Sequence, residues 1–242
     1  MIISSLNNPK IIELAKLKQK KYRDQNNLFL IEGWKIIDQA IKKKLVIEIY
    51  SSDLNFKSND VKVIYVKQNV LNKLSTVASG DLKQIALCKK MNFNEDLMSK
   101  VVALDNIQNP NNLGSIIRNA IAFNFDTIIV QGADIYNEKV IRSSKGAIFN
   151  INIINVNDLS TFLSKIKNNF FILGTDLKKE SIELEKLKLK DKKNIIIVFG
   201  NEGHGISKEV SRLIDQNIYI KINFESLNIA VANAIILYFL KD

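Results

Sequence analysis

Hydrophobic positions recur along this chain with two different periods, and the switches between them predict its elements. Over Asn8–Tyr22, Ile11, Ile12, Leu14, Ala15 and Leu17 fall at helical spacing with lysines between them, which predicts one basic amphipathic helix. Phe29-Leu30-Ile31 is a short apolar run closed by Gly33, the pattern of a strand, and Trp34–Lys44 returns to helical spacing. Leu45–Tyr50, Val61–Val66 and Ile85–Lys89 read as strands and Val70–Leu74 as a helix, so residues 1–92 predict a small α/β domain. Met91–Met98 loses the alternation and gains polar residues, which sets a linker at 93–99 and a second domain at 100–242.

In that second domain strands are expected at Val101–Leu104, Thr127–Val130, Phe170–Gly174, Asn194–Phe199 and Ile218–Ile222. The helices expected between and after them are Ser115–Phe123, Glu138–Ser144, Leu159–Lys167, Lys208–Leu213 and Ile229–Phe239. Nearly continuous Val, Ile and Leu runs separated by helices argue for a mostly parallel sheet covered on both faces. The last helix is apolar almost all round, which suits the core or a subunit interface better than a wet surface.

A chain of 242 residues that is 46% hydrophobic and 25% charged can bury a core, so disordered and fibrous classes are excluded. The longest uncharged apolar stretch, Ile229–Leu240, is interrupted by Asn233 and falls short of the roughly 20 residues that cross a bilayer. The amino-terminal residues lack the basic-then-apolar pattern of a secretory leader. Cys88 stands alone, excluding an internal disulfide, and a single histidine excludes a His-cluster metal site. No metal is expected, and the setting expected is reducing and cytoplasmic.

The net charge of +10 is uneven. Residues 1–92 hold 17 Lys+Arg against 8 Asp+Glu, whereas residues 93–242 hold 18 against 17. An excess of cations on one domain is the footprint of a phosphate backbone, although a lysine-rich composition by itself produces solvated basic faces. Of the 35 basic residues only Arg23, Arg118, Arg142 and Arg212 are arginine. A guanidinium fork cannot be exchanged for an ammonium at a bidentate phosphate or carboxylate site, so these four positions draw attention first.

Three loops after expected strands in the second domain carry candidate chemistry. The first runs from Asp105 through Asn112 and Gly114 to Arg118, with Asn112 placed to cap a helix and Arg118 one turn beyond Gly114. The second, Gly200-Asn-Glu-Gly-His-Gly205, puts three glycines in six residues, which permits left-handed backbone and exposed amides around a small polar ligand. His204 within it is either a base or a solvated loop residue. The third, Ile220-Lys-Ile-Asn-Phe-Glu-Ser-Leu-Asn228, leads into the last helix, where Ser226 or Asn228 alone reads as a cap.

In this order the loops resemble the SpoU family of RNA ribose 2′-O-methyltransferases, within the SPOUT superfamily. Asn112-x-Gly114-x-x-x-Arg118 is similar to its first motif, Gly200-Asn-Glu-Gly-x-Gly205 to its second and Glu225-Ser-Leu-Asn228 to its third. Asp134-x-Tyr136 and Val140–Phe149 are similar to the segment that separates the first two motifs. Ile3–Lys10, Lys20-Lys-Tyr-Arg23 and Phe29–Gly33 are similar to the substrate-binding domain that many members carry.

The resemblance implies an α/β/α domain with a parallel sheet and a trefoil knot, behind a smaller α/β substrate-binding domain, and a homodimer whose active site is shared. It implies S-adenosyl-L-methionine as cofactor, held at Gly200, Asn201, Gly203, Ile220 and Leu227. It implies Arg118 as the catalytic residue, with Asn112, Glu202, Ser226 and Asn228 around it, and RNA contacts from Lys20, Lys21, Arg23 and Arg142. Members commonly place a proline where this chain has Lys221, and the turn before the third motif is about two residues shorter here. The activity implied is methyl transfer to a ribose 2′-hydroxyl of structured RNA, of the 23S ribosomal type. A transfer RNA substrate, or a non-catalytic RNA-binding assembly protein on the same fold, stands as the alternative.

Overall fold

The computed structural model describes residues 2–76, 82–94, 96–97, 99–176, 180–189, 194–223 and 225–241. The backbone groups into two compact units, residues 1–92 with 134–149, and residues 93–133 with 150–242.

In the first unit α1 (Pro9–Lys16) and α2 (Lys20–Asn26) replace the single helix expected over Asn8–Tyr22. The side chain of Arg23 explains the break: its Nη1 donates to the carbonyls of Leu17 at 2.8 Å and Lys18 at 2.7 Å, taking both oxygens out of a continuous helical ladder. A mixed sheet follows, made of β1 (Leu28–Glu32), β2 (Val46–Ser51), β3 (Lys62–Tyr65) and β4 (Gln84–Lys89) in the order β1-β4-β2-β3. Helices α1 and α4 (Gln68–Leu74) bury Ile11, Leu14, Val70, Leu71 and Leu74 in one cluster with Tyr50, Ile85 and Leu87. Helix α3 (Trp34–Lys42) contributes the buried Ile36, Ile37 and Ala40. Helix α6 (Glu138–Ser144) packs on β1, and Tyr136 just before it stacks on Phe29 with ring centroids 4.8 Å apart.

The second unit is built on a seven-stranded sheet in which every pairing is parallel, as the apolar runs require. Its strands are β5 (Lys100–Ile107), β6 (Thr127–Gly132), β7 (Asn152–Asn155), β8 (Phe171–Thr175), β9 (Ile182–Glu183), β10 (Ile195–Phe199) and β11 (Gln216–Tyr219), in the order β7-β6-β5-β10-β8-β11-β9. Strands β7 and β9 were not expected, because asparagines interrupt one and the other is only two residues long. One face of the sheet is covered by α7 (Leu159–Ile166) and α8 (Lys208–Ser211), which bury Leu159, Leu163 and Val210 against Val101, Ala103, Ile172, Ile196 and Val198. Helices α5 (Pro110–Ala122) and α9 (Ile229–Phe239) pack together, with Leu113, Ile116, Ile117, Ile236 and Leu237 buried. Each fully buried aliphatic side chain of this kind contributes about 1.5–3 kcal/mol, which makes the sheet a firm platform for the loops at its carboxy-terminal edge. No helix among the described residues is long and apolar enough to cross a membrane.

Candidate active site

Three loops leave the carboxy-terminal ends of β5, β10 and β11 in the parallel sheet, and side chains tie them into one junction. At the end of β5 the buried Asp105 accepts the backbone N–H of Ser207 at 2.7 Å, joining the first loop to the second. The β5–β6 register then shifts between Leu104 and Ile107, and Asn106 takes a left-handed conformation with φ of 56°. Its carbonyl accepts the side-chain amide of Asn201 at 2.9 Å. A non-glycine residue held in this region costs about 1–3 kcal/mol, and Asn is among the residues that tolerate it.

Helix α5 starts five residues earlier than its apolar pattern indicates. Asn109 is the cap, its side chain accepting the N–H of Asn111, and Pro110 occupies the first turn. Asn112 therefore does not cap the helix, as its position before Gly114 had suggested. It lies inside the first turn, buried, and its amide donates to Glu202 Oε1 at 3.1 Å. Glu202 also accepts the N–H of Asn109 at 3.2 Å and of Gln108 at 3.3 Å, so one carboxylate collects the otherwise orphaned donors at the start of α5. Partial burial pushes the Glu202 carboxyl up, but the Asn112 amide and the backbone N–H groups outweigh it and hold the group below the usual carboxylate range.

The third loop closes the junction. Asn228 caps α9, accepting the N–H of Ala230 at 2.9 Å, and its amide donates to Asn112 Oδ1 at 3.2 Å. Asn112 and Asn228, 116 positions apart in sequence, thus meet side chain to side chain. Farther along α5, Asn119 donates to the carbonyl of Ala230 at 2.9 Å and to Asn233 Oδ1 at 3.0 Å, pinning the two helices together.

The second loop folds back on itself. Asn201 and Gly205 exchange backbone hydrogen bonds of 2.9 Å, and Asn201 Oδ1 accepts from the N–H groups of Gly203 and His204. A Cβ at position 200 would stand 2.2 Å from the carbonyl carbon of Gly205 and 2.3 Å from the nitrogen of Ile206, so only glycine fits there.

Beside this junction lies a cavity of about 450 Å³, a volume within the ~300–1,000 Å³ typical of small-molecule sites. Ile218, Ile220, Ile222, Leu227 and Ile236 supply its apolar lining. Gly200, Asn201, Glu202, Ser226 and Asn228 supply backbone and polar side-chain groups. Such a wall holds a flat ring on one side and hydrogen-bonds a polar chain on the other. Of the residues expected at a cofactor, Gly200, Asn201, Ile220 and Leu227 line the cavity and the exposed Gly203 does not. Lys221 is exposed, with its ammonium 3.9 Å from Glu183, while its neighbours Ile220 and Ile222 both face the cavity.

Of the residues expected around the chemistry, Asn112, Glu202 and Asn228 are hydrogen-bonded together, and Ser226 lines the cavity. Arg118 is exposed on α5 and does not line it; among the described residues its guanidinium has no hydrogen bond or ion pair. Sequence reasoning did not single out Asp105, Asn109 or Asn119. The Asn109-Pro110 pair, a cap followed by proline, was the available signal for the true helix start.

Among the residues expected at RNA, Lys20 pairs with Asp24 at 2.7 Å, and Lys21 and Arg142 are exposed. Arg23 is a correction. It is only 5% exposed, and its fork is spent on Leu17, Lys18 and the carboxylate of Asp134, so it holds the fold rather than meeting phosphate.

The family description "SpoU rRNA Methylase family" matches residues 99–238, and "MRM3-like substrate binding domain" matches residues 8–81. The chain is similar to the 23S rRNA (guanosine(2553)-2′-O)-methyltransferase RlmP of Bacillus subtilis, 31% identical over 99% of this chain and 98% of that protein. The structure of an rRNA methyltransferase from Sinorhizobium meliloti superposes with a TM-score of 0.87 at 24% identity, covering 99% of this chain and 96% of that one. The SpoU methyltransferase AviRb from Streptomyces viridochromogenes, solved in complex with AdoMet, superposes with a TM-score of 0.86 at 21% identity over 97% of both chains. With the family model matching well over half of its length, and with a relative this similar from end to end, the chain belongs to the SpoU rRNA methylase family.

Proposed function

We propose that this protein transfers a methyl group from S-adenosylmethionine to a ribose 2′-hydroxyl of structured RNA, with ribosomal RNA of the 23S type as substrate. The observation that carries this reading is the junction of Asn112, Glu202 and Asn228 at the edge of the 450 Å³ cavity, which draws three distant loops to one place. The similarity to RlmP along nearly the whole chain supports the choice of substrate.

The cavity fits the cofactor on its own terms. Ile218, Ile220 and Leu227 offer apolar lining to an adenine ring, and the missing side chain at Gly200 lets the backbone of Gly205 and Ile206 pack close and set the shape of the second loop at the cavity wall. When bound, the cofactor supplies a methyl group on a positively charged sulfur, and the rest of the work falls to the protein and the RNA. Arg118, exposed and without a partner among the described residues, is available to grip the phosphate beside the target ribose and to hold its 2′-hydroxyl in line while assisting loss of the proton. The Asn119 anchor to α9 fixes the helix from which Arg118 projects.

The same reading includes a homodimer, with the carboxy-terminal segment threaded as a trefoil knot. Helix α9 presents Val231, Ile235, Tyr238 and Phe239 at 40–58% exposure, an apolar stripe suited to a second copy of this chain. A cytoplasmic setting follows from a ribosomal substrate.

The test is transfer of radiolabelled methyl from S-adenosylmethionine to ribosomal RNA lacking the modification, mapped by resistance to alkaline hydrolysis. One alkali-resistant site, absent with Arg118→Ala, is expected. RNA binding without transfer would overturn the reading and leave an assembly role in its place.

A further inference from the structure

The first unit carries an aromatic surface that the methyl-transfer reading does not use. Trp34, the sole tryptophan of the chain, is 42% exposed at the start of α3. Its ring meets that of Phe56 edge to face, with centroids 5.1 Å apart and planes at 70°. The next large apolar side chain on the Phe56 loop, Leu54, is 56% exposed. An exposed Trp and Leu with a half-buried Phe between them, in a domain whose surface is otherwise rich in lysine, is an arrangement that burial does not explain.

The sheet brings these residues together and holds them still. At one end of the sheet, Gly33 donates to the carbonyl of Gln84 at 3.3 Å and Ser52 donates to that of Lys83 at 3.0 Å, so the chain before Trp34 and the start of the Phe56 loop flank β4 on either side. The loop is then braced from within. The hydroxyl of Tyr65 donates to the carbonyl of Phe56 at 3.0 Å, the N–H of Phe56 reaches the carbonyl of Asp53 at 3.3 Å, and the Asp53 carboxylate accepts the N–H of Asn55 at 2.9 Å. The platform is built before anything binds, so little ordering entropy is lost when a partner arrives.

Three exposed lysines sit in the segments that form it: Lys35 beside Trp34, Lys57 beside Phe56, and Lys83 immediately before β4. Among the described residues none of the three makes an ion pair, so each ammonium is open to a ligand, unlike those of Lys10, Lys20 and Lys62. An exposed aromatic pair on segments that also carry exposed lysines without ion pairs suits one chemistry, a nucleobase stacked on the ring while its phosphates meet ammonium groups. A protein partner would require apolar area beyond Trp34, Phe56 and Leu54, and the lysines would oppose it unless it were acidic.

We infer that Trp34, supported by Phe56 and flanked by Lys35, Lys57 and Lys83, is a stacking site for an unpaired base of the RNA substrate. This rests on the reading of the protein as an RNA methyltransferase. The site selects for single-stranded or looped RNA, because a base inside a duplex has no free face to offer.

Trp34 is its own reporter. The full-length protein is titrated with a labelled oligouridylate of about 12 nucleotides and, separately, with a blunt duplex of similar length, following label anisotropy and tryptophan emission together. The expected result is quenching by the single strand and little by the duplex. Trp34→Ala should weaken single-strand binding about 5- to 100-fold, with Trp34→Phe restoring most of it. Replacing Lys35, Lys57 and Lys83 by Gln should leave quenching at saturation intact and lower the salt dependence of binding by about one counterion per lysine. Circular dichroism of each variant separates these effects from misfolding. Binding seen by anisotropy with unchanged emission, and with Trp34→Ala binding as well as the wild type, would overturn the stacking site while the RNA reading stands. No binding of either RNA would overturn both. Emission that responds to ribosomal proteins and not to RNA would assign the platform to a protein partner and overturn it as well.

Discussion

Arg23 and Arg118 are two of only four arginines among 35 basic residues, and the two units of the molecule treat them in opposite ways. Around Arg23 the chain folds inward. Three hydrogen-bonding partners surround a guanidinium that is 5% exposed, one of them the carboxylate of Asp134, and its Nε is buried without a partner. Around Arg118 the chain turns outward, leaving the guanidinium exposed and, among the described residues, without a hydrogen bond or ion pair, while the residue beside it is anchored by two hydrogen bonds. One guanidinium is satisfied by the fold; the other is exposed and, on the proposed function, available to the RNA. Scarcity of arginine in a lysine-rich chain marks where geometry matters, and only the surroundings tell whether the geometry serves stability or chemistry.

Replacing Arg118 gives the largest expected effect and tests the outward-facing half of the contrast. Arg118→Ala should lower methyl transfer by about 100- to 10,000-fold, the range for a group that positions a nucleophile and assists its deprotonation. The melting temperature should stay within the shift produced by about 0.5 kcal/mol, as for other surface substitutions. Radiolabelled transfer and thermal melts on one preparation measure both, and a variant that melts early would show that Arg118 is structural after all.

Arg23→Ala should do the reverse. Removing one member of a buried ion pair strands the other, so Asp134 loses its partner at a cost of about 3–5 kcal/mol in unfolding free energy. Urea denaturation gives the value, and a double-mutant cycle with Asp134→Asn should show strong coupling between the positions. The carbonyls of Leu17 and Lys18 also lose their donor, so the turn between α1 and α2 should exchange amide hydrogens faster. If Arg23→Ala left stability unchanged and weakened RNA binding instead, the comparison would fail on its inward-facing side.

Much of this could be read from the chain beforehand, and the gaps have physical causes. The bounds of α6 and α9 match the expected Glu138–Ser144 and Ile229–Phe239, because cap, period and terminus all agree there. The parallel sheet was legible in its apolar runs. The break between α1 and α2 escapes the helical period because the carbonyls of Leu17 and Lys18 bond a side chain six and five positions onward, a partnership that no local period records. The start of α5 escapes the apolar period because its first turn, Pro110-Asn-Asn, is polar and buries Asn112 through Glu202 rather than through apolar contact. Motif residues Asn112, Glu202 and Asn228 were all identified, but their mutual hydrogen bonds span 90 and 116 positions and belong to the fold.

Gly200→Ala sharpens the same point at intermediate size. The new methyl would press on the backbone of Gly205 and Ile206, which cannot rotate away as a side chain could. A loss of about 1–3 kcal/mol in stability is expected from overpacking. Calorimetric titration with S-adenosylmethionine should show weaker binding, because the displaced loop is the one that lines the cavity. Unchanged affinity would mean that the second loop serves the junction alone.

The smallest expected effect concerns the link between the loops, and its sign follows from Glu202. Donors from Asn112, Asn109 and Gln108 favour the charged carboxylate, so its folded-state value lies below that of the unfolded chain. Protons then bind the unfolded state more readily, and the contribution of Glu202 is fully present above the unfolded value, near 4.3, and is lost as pH falls through the lower folded value. Wild-type protein should therefore lose stability on acidification below about pH 4. Glu202→Gln keeps one acceptor for these donors and removes the titration, so its melting temperature should start slightly lower at pH 7 and decline less steeply. The difference between the two melting profiles isolates this carboxylate from the other acidic groups. A constant difference from pH 7 to pH 3 would show that Glu202 is not charged in the junction, and the three loops would then be held by neutral hydrogen bonds alone.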